Sequence, residues 1–218
     1  KGNEKLTEEC TAVYKAEWEV QGDMAGGKDL DARERYLGLK HYQWGTVRLG
    51  HIDSPFKNAE DDIDVFNDMA HLDMGNFIYG QNRLENFINY VSPKFLDVFG
   101  VNLTLQPGEK NGNSVVNCAA ATPTVANSMG CNEDHIADAI STALSYEDDN
   151  LYLSFAMDKE VVNMDAMRFN ARYKMGDATI SAMYQTAEPS SLPAGVTNEE
   201  TAMMFSGSYK MGDFTFKG

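Results

Sequence analysis

Between Asp53 and Asp73 the chain carries Asp53, Glu60, Asp61, Asp62, Asp64, Asp68 and Asp73 against the single base Lys57. Carboxylates gathered so densely could ligate a divalent cation, work as paired general acid and base, or create a field that favours cations over anions. The first use fails on spacing. An EF-hand reading of "DDIDVFND" has no Gly at the sharp-turn position and no Glu at the required later place. The second lacks company: His41, His51, His71 and His135 are scattered, and no Gly-x-Ser-x-Gly nucleophile motif occurs. What remains is a field, or the ordinary fate of a charged run, a solvated surface. Ile63, Phe66 and Met69 recur at helical spacing, so a short helix is expected here. Acids at its start would suit the helix dipole, and it could present Asp61, Asp62 and Asp68 to one side.

The elements that would position these groups are strands. In "DAMRFNARYKMG" one face carries Met167, Phe169, Ala171 and Tyr173, and the other Arg168, Asn170 and Arg172. "LYLSFAMD", "ATISAMYQT", "TAVYKAEWEV" and "VFGVNLTL" alternate in the same way, and about eleven strands are expected. By alternation Lys15, Arg83, Arg168 and Arg172 fall on polar faces, whereas the faces of Arg33, Arg35 and Arg48 are not settled.

Connections come in two sizes. Tight turns read as "YQWG", "VSPKF", "EDDN" and two "MGD" triplets. Long polar segments read as 21–32, 53–82, 107–137, 159–163 and 187–200. Tight and long alternate along the chain, so an up-and-down meander puts all tight turns at one end, the layout of an outer-membrane barrel. The phrase Tyr-Lys-Met-Gly-Asp-x-Thr, at Tyr173 and again at Tyr209, then marks two equivalent hairpins, with Gly176 and Gly212 supplying the unusual φ. Tyr173, Tyr209 and Phe214 beside these turns suit an interfacial aromatic girdle.

Composition narrows the classes further. The 218 residues have a formal charge of −15, which argues against a phosphate-neutralising nucleic-acid binder. No apolar run of helical membrane-span length occurs and the mean hydropathy is −0.42, which excludes a helical membrane protein but not a β-barrel. Cys118 and Cys131 share one long polar loop and could form a disulfide in an oxidising compartment. Three unrelated thiols, with Cys10, is the alternative.

"RERYLGLKHYQWGTVRLGHIDSPFKNAEDDIDVFNDMAHLD" (Arg33 to Asp73) resembles the general diffusion porins of Gram-negative outer membranes. The likeness rests on Gly38-Leu39, Trp44-Gly45-Thr46, Leu49-Gly50-His51 and Ser54-Pro55-Phe56, in that order, then Asp64 to Asp68. "RLENFINYVSPKF" resembles the next family segment. The resemblance implies an all-β, antiparallel transmembrane β-barrel of the type with about sixteen strands, present here as one incomplete domain. The opening strands and a final group would be missing, since Phe216-Lys217-Gly218 lacks the family's aromatic close. It further implies that 53–82 folds inward as a constriction whose acids are Glu60, Asp61, Asp62, Asp64 and Asp68. Facing it would stand a basic wall of Lys15, Arg83, Arg168 and Arg172, with His51 where the family has Arg. Residues 107–137 would be a long extracellular loop. A homotrimer in outer-membrane lipid, without cofactor, would pass ions and small hydrophilic solutes, with a preference for cations. A non-channel structural or adhesive barrel, or a soluble β-sandwich binding module, is the alternative.

Overall fold

The alternating segments form twelve strands in the computed structural model, which describes residues 1–20, 30–67, 69, 71–107, 136–191 and 198–218. In chain order these are β1 (Gly2–Lys5), β2 (Cys10–Val20), β3 (Leu30–His41), β4 (Gly45–Asp53), β5 (Arg83–Val91) and β6 (Phe99–Gln106). Then come β7 (Ala139–Glu147), β8 (Leu151–Val161), β9 (Met164–Met175), β10 (Ala178–Pro189), β11 (Glu200–Met211) and β12 (Phe214–Lys217). Each pairs antiparallel with its sequence neighbours, so the sheet order is the chain order from β1 to β12. One helix of four residues, α1 (Pro55–Asn58), lies between β4 and β5. No helix among the described residues is long and apolar enough to cross a membrane.

Register shows what the alternation is for, because cross-strand partners share a face. One row runs Arg48, Asn89, Thr104, Ser141, Asp158, Ala166 and Ala187 across seven strands. From Asn89 to Ala187 every member is buried although most are polar. Another row runs Val101, Leu144, Phe155, Phe169, Tyr184 and Met203. Leu144, Phe169, Tyr184 and Met203 of this row are exposed although apolar. The polarity is inverted relative to a water-soluble sheet: an apolar face meets the surroundings and a polar face is covered from within. A β-sandwich would bury the apolar face, so this inversion argues against it.

The turns explain the repeated phrase. Gly176 and Gly212 both have φ of +61° in two-residue turns between β9 and β10 and between β11 and β12. Glycine at the first loop position is the type II′ pattern, whose twist matches the flanking strands. Tyr173 and Tyr209 are exposed on the apolar face beside these turns. Two expectations are corrected. The polar segment 159–163 is mostly strand, with β8 running to Val161 and turning at Val162 and Asn163, both with positive φ. The helix expected through Ile63, Phe66 and Met69 does not form. Helix α1 starts earlier, capped by the Ser54 hydroxyl on the Lys57 amide with Pro55 in its first turn, and Asp61 at φ +49° lies beyond its end.

Candidate functional site: the inward-packed loop

Residues 54–82, between β4 and β5, cross the polar face and pack on β7 to β11. The loop is pinned at its base, where Arg83 Nε donates to Asp53 Oδ1 at 2.7 Å and the Ser54 amide donates to the Asn82 carbonyl at 3.0 Å. Lys57 Nζ lies 3.5 Å from the same Asp53 carboxylate. Arg83, expected on a facing basic wall, is therefore a hinge contact of the loop.

Beyond α1 the Ala59 carbonyl is the first anchor. It accepts from Tyr152 Oη at 3.0 Å, Ser154 Oγ at 2.8 Å and Asn170 Nδ2 at 2.8 Å. Ser141 Oγ accepts from the Phe56 amide at 3.1 Å. A loop that crosses a covered face needs such partners for its backbone groups, and the small polar residues of β7, β8 and β9 supply them.

Arg168 is the second anchor, and its side chain is 0% exposed. Nε donates to Gln185 Oε1 at 2.7 Å, Nη1 to Glu60 Oε2 at 3.2 Å, and Nη2 to the Tyr79 carbonyl at 2.9 Å. Its guanidinium lies over the Phe56 ring, 4.4 Å from the centroid. Gln81 Nε2 also donates to Glu60, at 2.5 Å, and Gln185 Nε2 to the Tyr79 carbonyl at 2.8 Å. Gly80, at φ +117°, lets the backbone close over this cluster: a Cβ there would sit 2.5 Å from both Arg168 Nη2 and Phe56 Cε1. Burial pushes the Glu60 carboxyl above its ordinary range, and the Arg168 charge pulls the other way. Burial, then the Asp158 carboxylate, also raises the Tyr79 phenol, which stays neutral with its hydroxyl 2.9 Å from Asp158 Oδ2.

Arg172 is the third anchor. Its Nη1 donates to Asp62 Oδ2 at 3.0 Å and also pairs with Asp61. Asp64 turns back on the loop itself, accepting the Phe66 and Met74 amides at 2.8 Å each. Ile63, Met74 and Met183 form a small apolar cluster beneath the tip. Arg168 and Arg172 therefore do not face the acids Glu60, Asp61 and Asp62 across an opening; they lie under them and hold them. Asp68, Cys118 and Cys131, and nearly all of the 107–137 loop, lie outside the described residues.

The polar face of β2 and β3 holds a second charged group, in which Lys15 pairs with Glu17 at 2.7 Å and with Glu34. Arg33 Nη1 donates to Glu19 at 3.0 Å. Arg48 belongs to the polar row, with Nε donating to Asn89 Oδ1 at 2.9 Å and the guanidinium over the Tyr36 ring. His51 departs from expectation. It is the cross-strand partner of Arg35, whose guanidinium lies 3.3 Å from His51 Nδ1, on the face that carries Leu37 and Leu49. It stands outside the charged lining.

Strands apolar outward and polar inward, turning tightly at one end and carrying a loop packed on the inner face, define an outer-membrane β-barrel wall. The sequence profile of the Gram-negative porins matches residues 1–218, and the chain belongs to that family, whose place is the bacterial outer membrane. Its fold is similar to that of OmpF of Salmonella typhi, solved in complex with daunomycin: TM-score 0.68 at 16% identity, over 97% of this chain. The chain spans 65% of the length of that protein. Among curated proteins none matches.

Of the anchors, Tyr79, Gly80, Ser154 and Gln185 were not singled out by the sequence, while Phe56 stood only in the Ser54-Pro55-Phe56 motif and Asn170 only as one of the polar-face residues. Asn170 and Gln185 sit on the polar sides of alternating segments, which is the available signal; nothing local distinguishes Phe56 or Gly80 as packing against them.

Proposed function

We propose that this chain forms part of a water-filled channel for ions and small hydrophilic solutes, that loop 53–82 narrows it, and that the channel prefers cations. The observation that carries this reading is a difference in exposure within each charged cluster. Under the loop the Arg168 and Arg172 side chains are 0% and 5% exposed, while the Asp62 carboxylate is 84% exposed. On β2 and β3, Glu17 and Glu19 are 38% and 46% exposed against 24% for Lys15 and 34% for Arg33. At Asp62 under the loop, and at Glu17 and Glu19 on β2, the carboxylate is the member of its pair that meets the water, whereas Glu60 and Glu34 are turned into the protein with their partners. Carboxylates at the water surface of a pore lower the energy of a passing cation and raise that of an anion.

The test is the reversal potential of the full-length protein in planar bilayers under a KCl gradient. Potassium should be favoured, and Asp62→Asn should reduce the preference without changing the fold. A preference for chloride would overturn the reading. Family membership further supports a homotrimer, which native mass measurement of protein extracted in mild detergent would test.

A further inference from the structure

We propose that the repeated phrase Tyr-Lys-Met-Gly-Asp-x-Thr builds a binding site for small phosphate-bearing solutes on the inner face, between the loop and the tight turns. The inference rests on the channel reading and adds to it a basic station on the tight-turn side of the acidic loop.

The turn itself uses only the glycine of the phrase. Register gives the lysine and the threonine a use of their own. Lys174 pairs across its hairpin with Thr179, and Lys210 pairs across the next with Thr215. Tyr173 and Tyr209 stand on the outward face, so alternation turns the lysine after each of them to the inner face. Each hairpin thus sets one ammonium beside one hydroxyl. The two hairpins abut, because the Lys210 amide donates to the Asp177 carbonyl at 2.9 Å. Thr179 pairs in turn with Ser208, and Ser208 with Lys217. Lys217 Nζ donates to the Val65 carbonyl at 3.1 Å, which fixes the inward direction of this row and sets it beside the loop.

The inward positions between loop and turns on β9 to β12 are therefore Lys174, Thr179, Ser208, Lys210, Thr215 and Lys217, all cations or hydroxyls with no carboxylate among them. Lys174 and Lys210 are exposed, and no carboxylate among the described residues lies within ion-pair distance of either. Glu147, whose field reaches Lys174, is itself held by Lys94 at 2.8 Å. Asp177 and Asp213 stand in the turns, past the strand ends. One row nearer the loop, about 7 Å along the strands, the cross-strand neighbours Arg172 and Ser181 leave Nε and Oγ buried without a hydrogen-bond partner. Donors and positive charge are thus in excess here, and a phosphoryl group supplies the acceptors and the negative charge. Lys174 and Lys210 are two strands, or about 10 Å, apart across the sheet. Flexible lysine stems close such a gap around a small polyanion.

The experiment records the full-length protein in planar bilayers in KCl, with inorganic pyrophosphate added to one chamber and then to the other at constant ionic strength. Pyrophosphate should block the current from one chamber at a concentration about tenfold lower than from the other. Lys174→Gln/Lys210→Gln should remove that difference, and Thr179→Val/Thr215→Val should reduce it. Lys174→Arg/Lys210→Arg should retain it. Lys210→Gln alone serves where the double variant does not assemble. A block of equal strength from both chambers, or one that either the Gln or the Val double variant leaves unchanged, overturns this inference while the channel reading stands. A full-length protein that conducts no ions overturns the channel reading and this inference together.

Discussion

At the scale of single residues, the loop is held by groups whose chemistry leaves little slack. Gly80 is the clearest case, since Ala there would have to adopt φ +117° and place its Cβ against Arg168 and Phe56. Strain of this kind costs on the order of 1–3 kcal/mol. Gly80→Ala should therefore leave the strands formed and loosen the loop, seen as larger and noisier single-channel conductance; unchanged traces would count against it. Glu60 gives a pH prediction with a defined sign. Its carboxyl is raised above the ordinary value of 4.5 by burial, so the folded state holds the proton more tightly than the unfolded chain. Stability from this group is fully present below the ordinary value and is lost as pH rises through the folded one. The stability of wild type relative to Glu60→Gln should fall over that window in thermal melts of detergent-solubilised protein, and a rise would contradict the assignment.

At the scale of elements, the loop and the wall of β7 to β11 are bound through buried polar contacts set between two small apolar clusters, Phe56 and Ala59 on the alanines of β7 to β10, and Ile63 and Met74 on Met183. Arg168→Met leaves Glu60 buried without its guanidinium and removes the donor to the Tyr79 carbonyl. Breaking a buried pair from one side costs about 3–5 kcal/mol, whereas replacing both members by apolar groups costs far less. Lys57 offers a direct readout, because residues 54–82 contain no other Lys or Arg. Trypsin should cut after Lys57 readily in Arg168→Met, and less readily in the double variant Glu60→Met/Arg168→Met. Equal cleavage of wild type and Arg168→Met would remove Arg168 from its anchoring role. The strands that carry these contacts were legible in the sequence, since Arg168, Asn170 and Arg172 alternate with Met167, Phe169 and Ala171 and the face follows without further information. What was not legible lies beyond strict alternation. Arg33 and Arg35 would share a face in a regular strand, but the register shift between Ala16 and Trp18 lets Arg33 reach Glu17 and Glu19 while Arg35 turns outward to His51. The acids Glu60 to Asp62 were legible as a dense run, but the guanidiniums beneath them were not, because that contact joins residues more than 100 positions apart.

At the scale of the whole molecule, the proposed selectivity depends on fields from charges standing at the edge of water, and such fields depend on salt. Asp62 is highly exposed and Glu17 and Glu19 partly so, and each is close to a base that is less exposed than itself. A passing ion meets a dipole with its negative end outward, whose influence reaches only about a Debye length. That length is about 10 Å at roughly 0.1 M ionic strength and about 3 Å at roughly 1 M. The permeability ratio of potassium to chloride should therefore be highest in dilute KCl and fall toward the ratio of free-ion mobilities in concentrated KCl. Asp62→Asn should lower the dilute-salt value and leave the concentrated limit nearly unchanged. Asp64→Asn provides the contrast, because Asp64 is buried and spends its two oxygens on the Phe66 and Met74 amides. Its loss should increase trypsin cleavage after Lys57 and alter conductance, with no salt-dependent change in selectivity that follows the Asp62 pattern. Selectivity that is flat with salt would contradict an origin in these exposed carboxylates, because their field must be screened as the Debye length shortens.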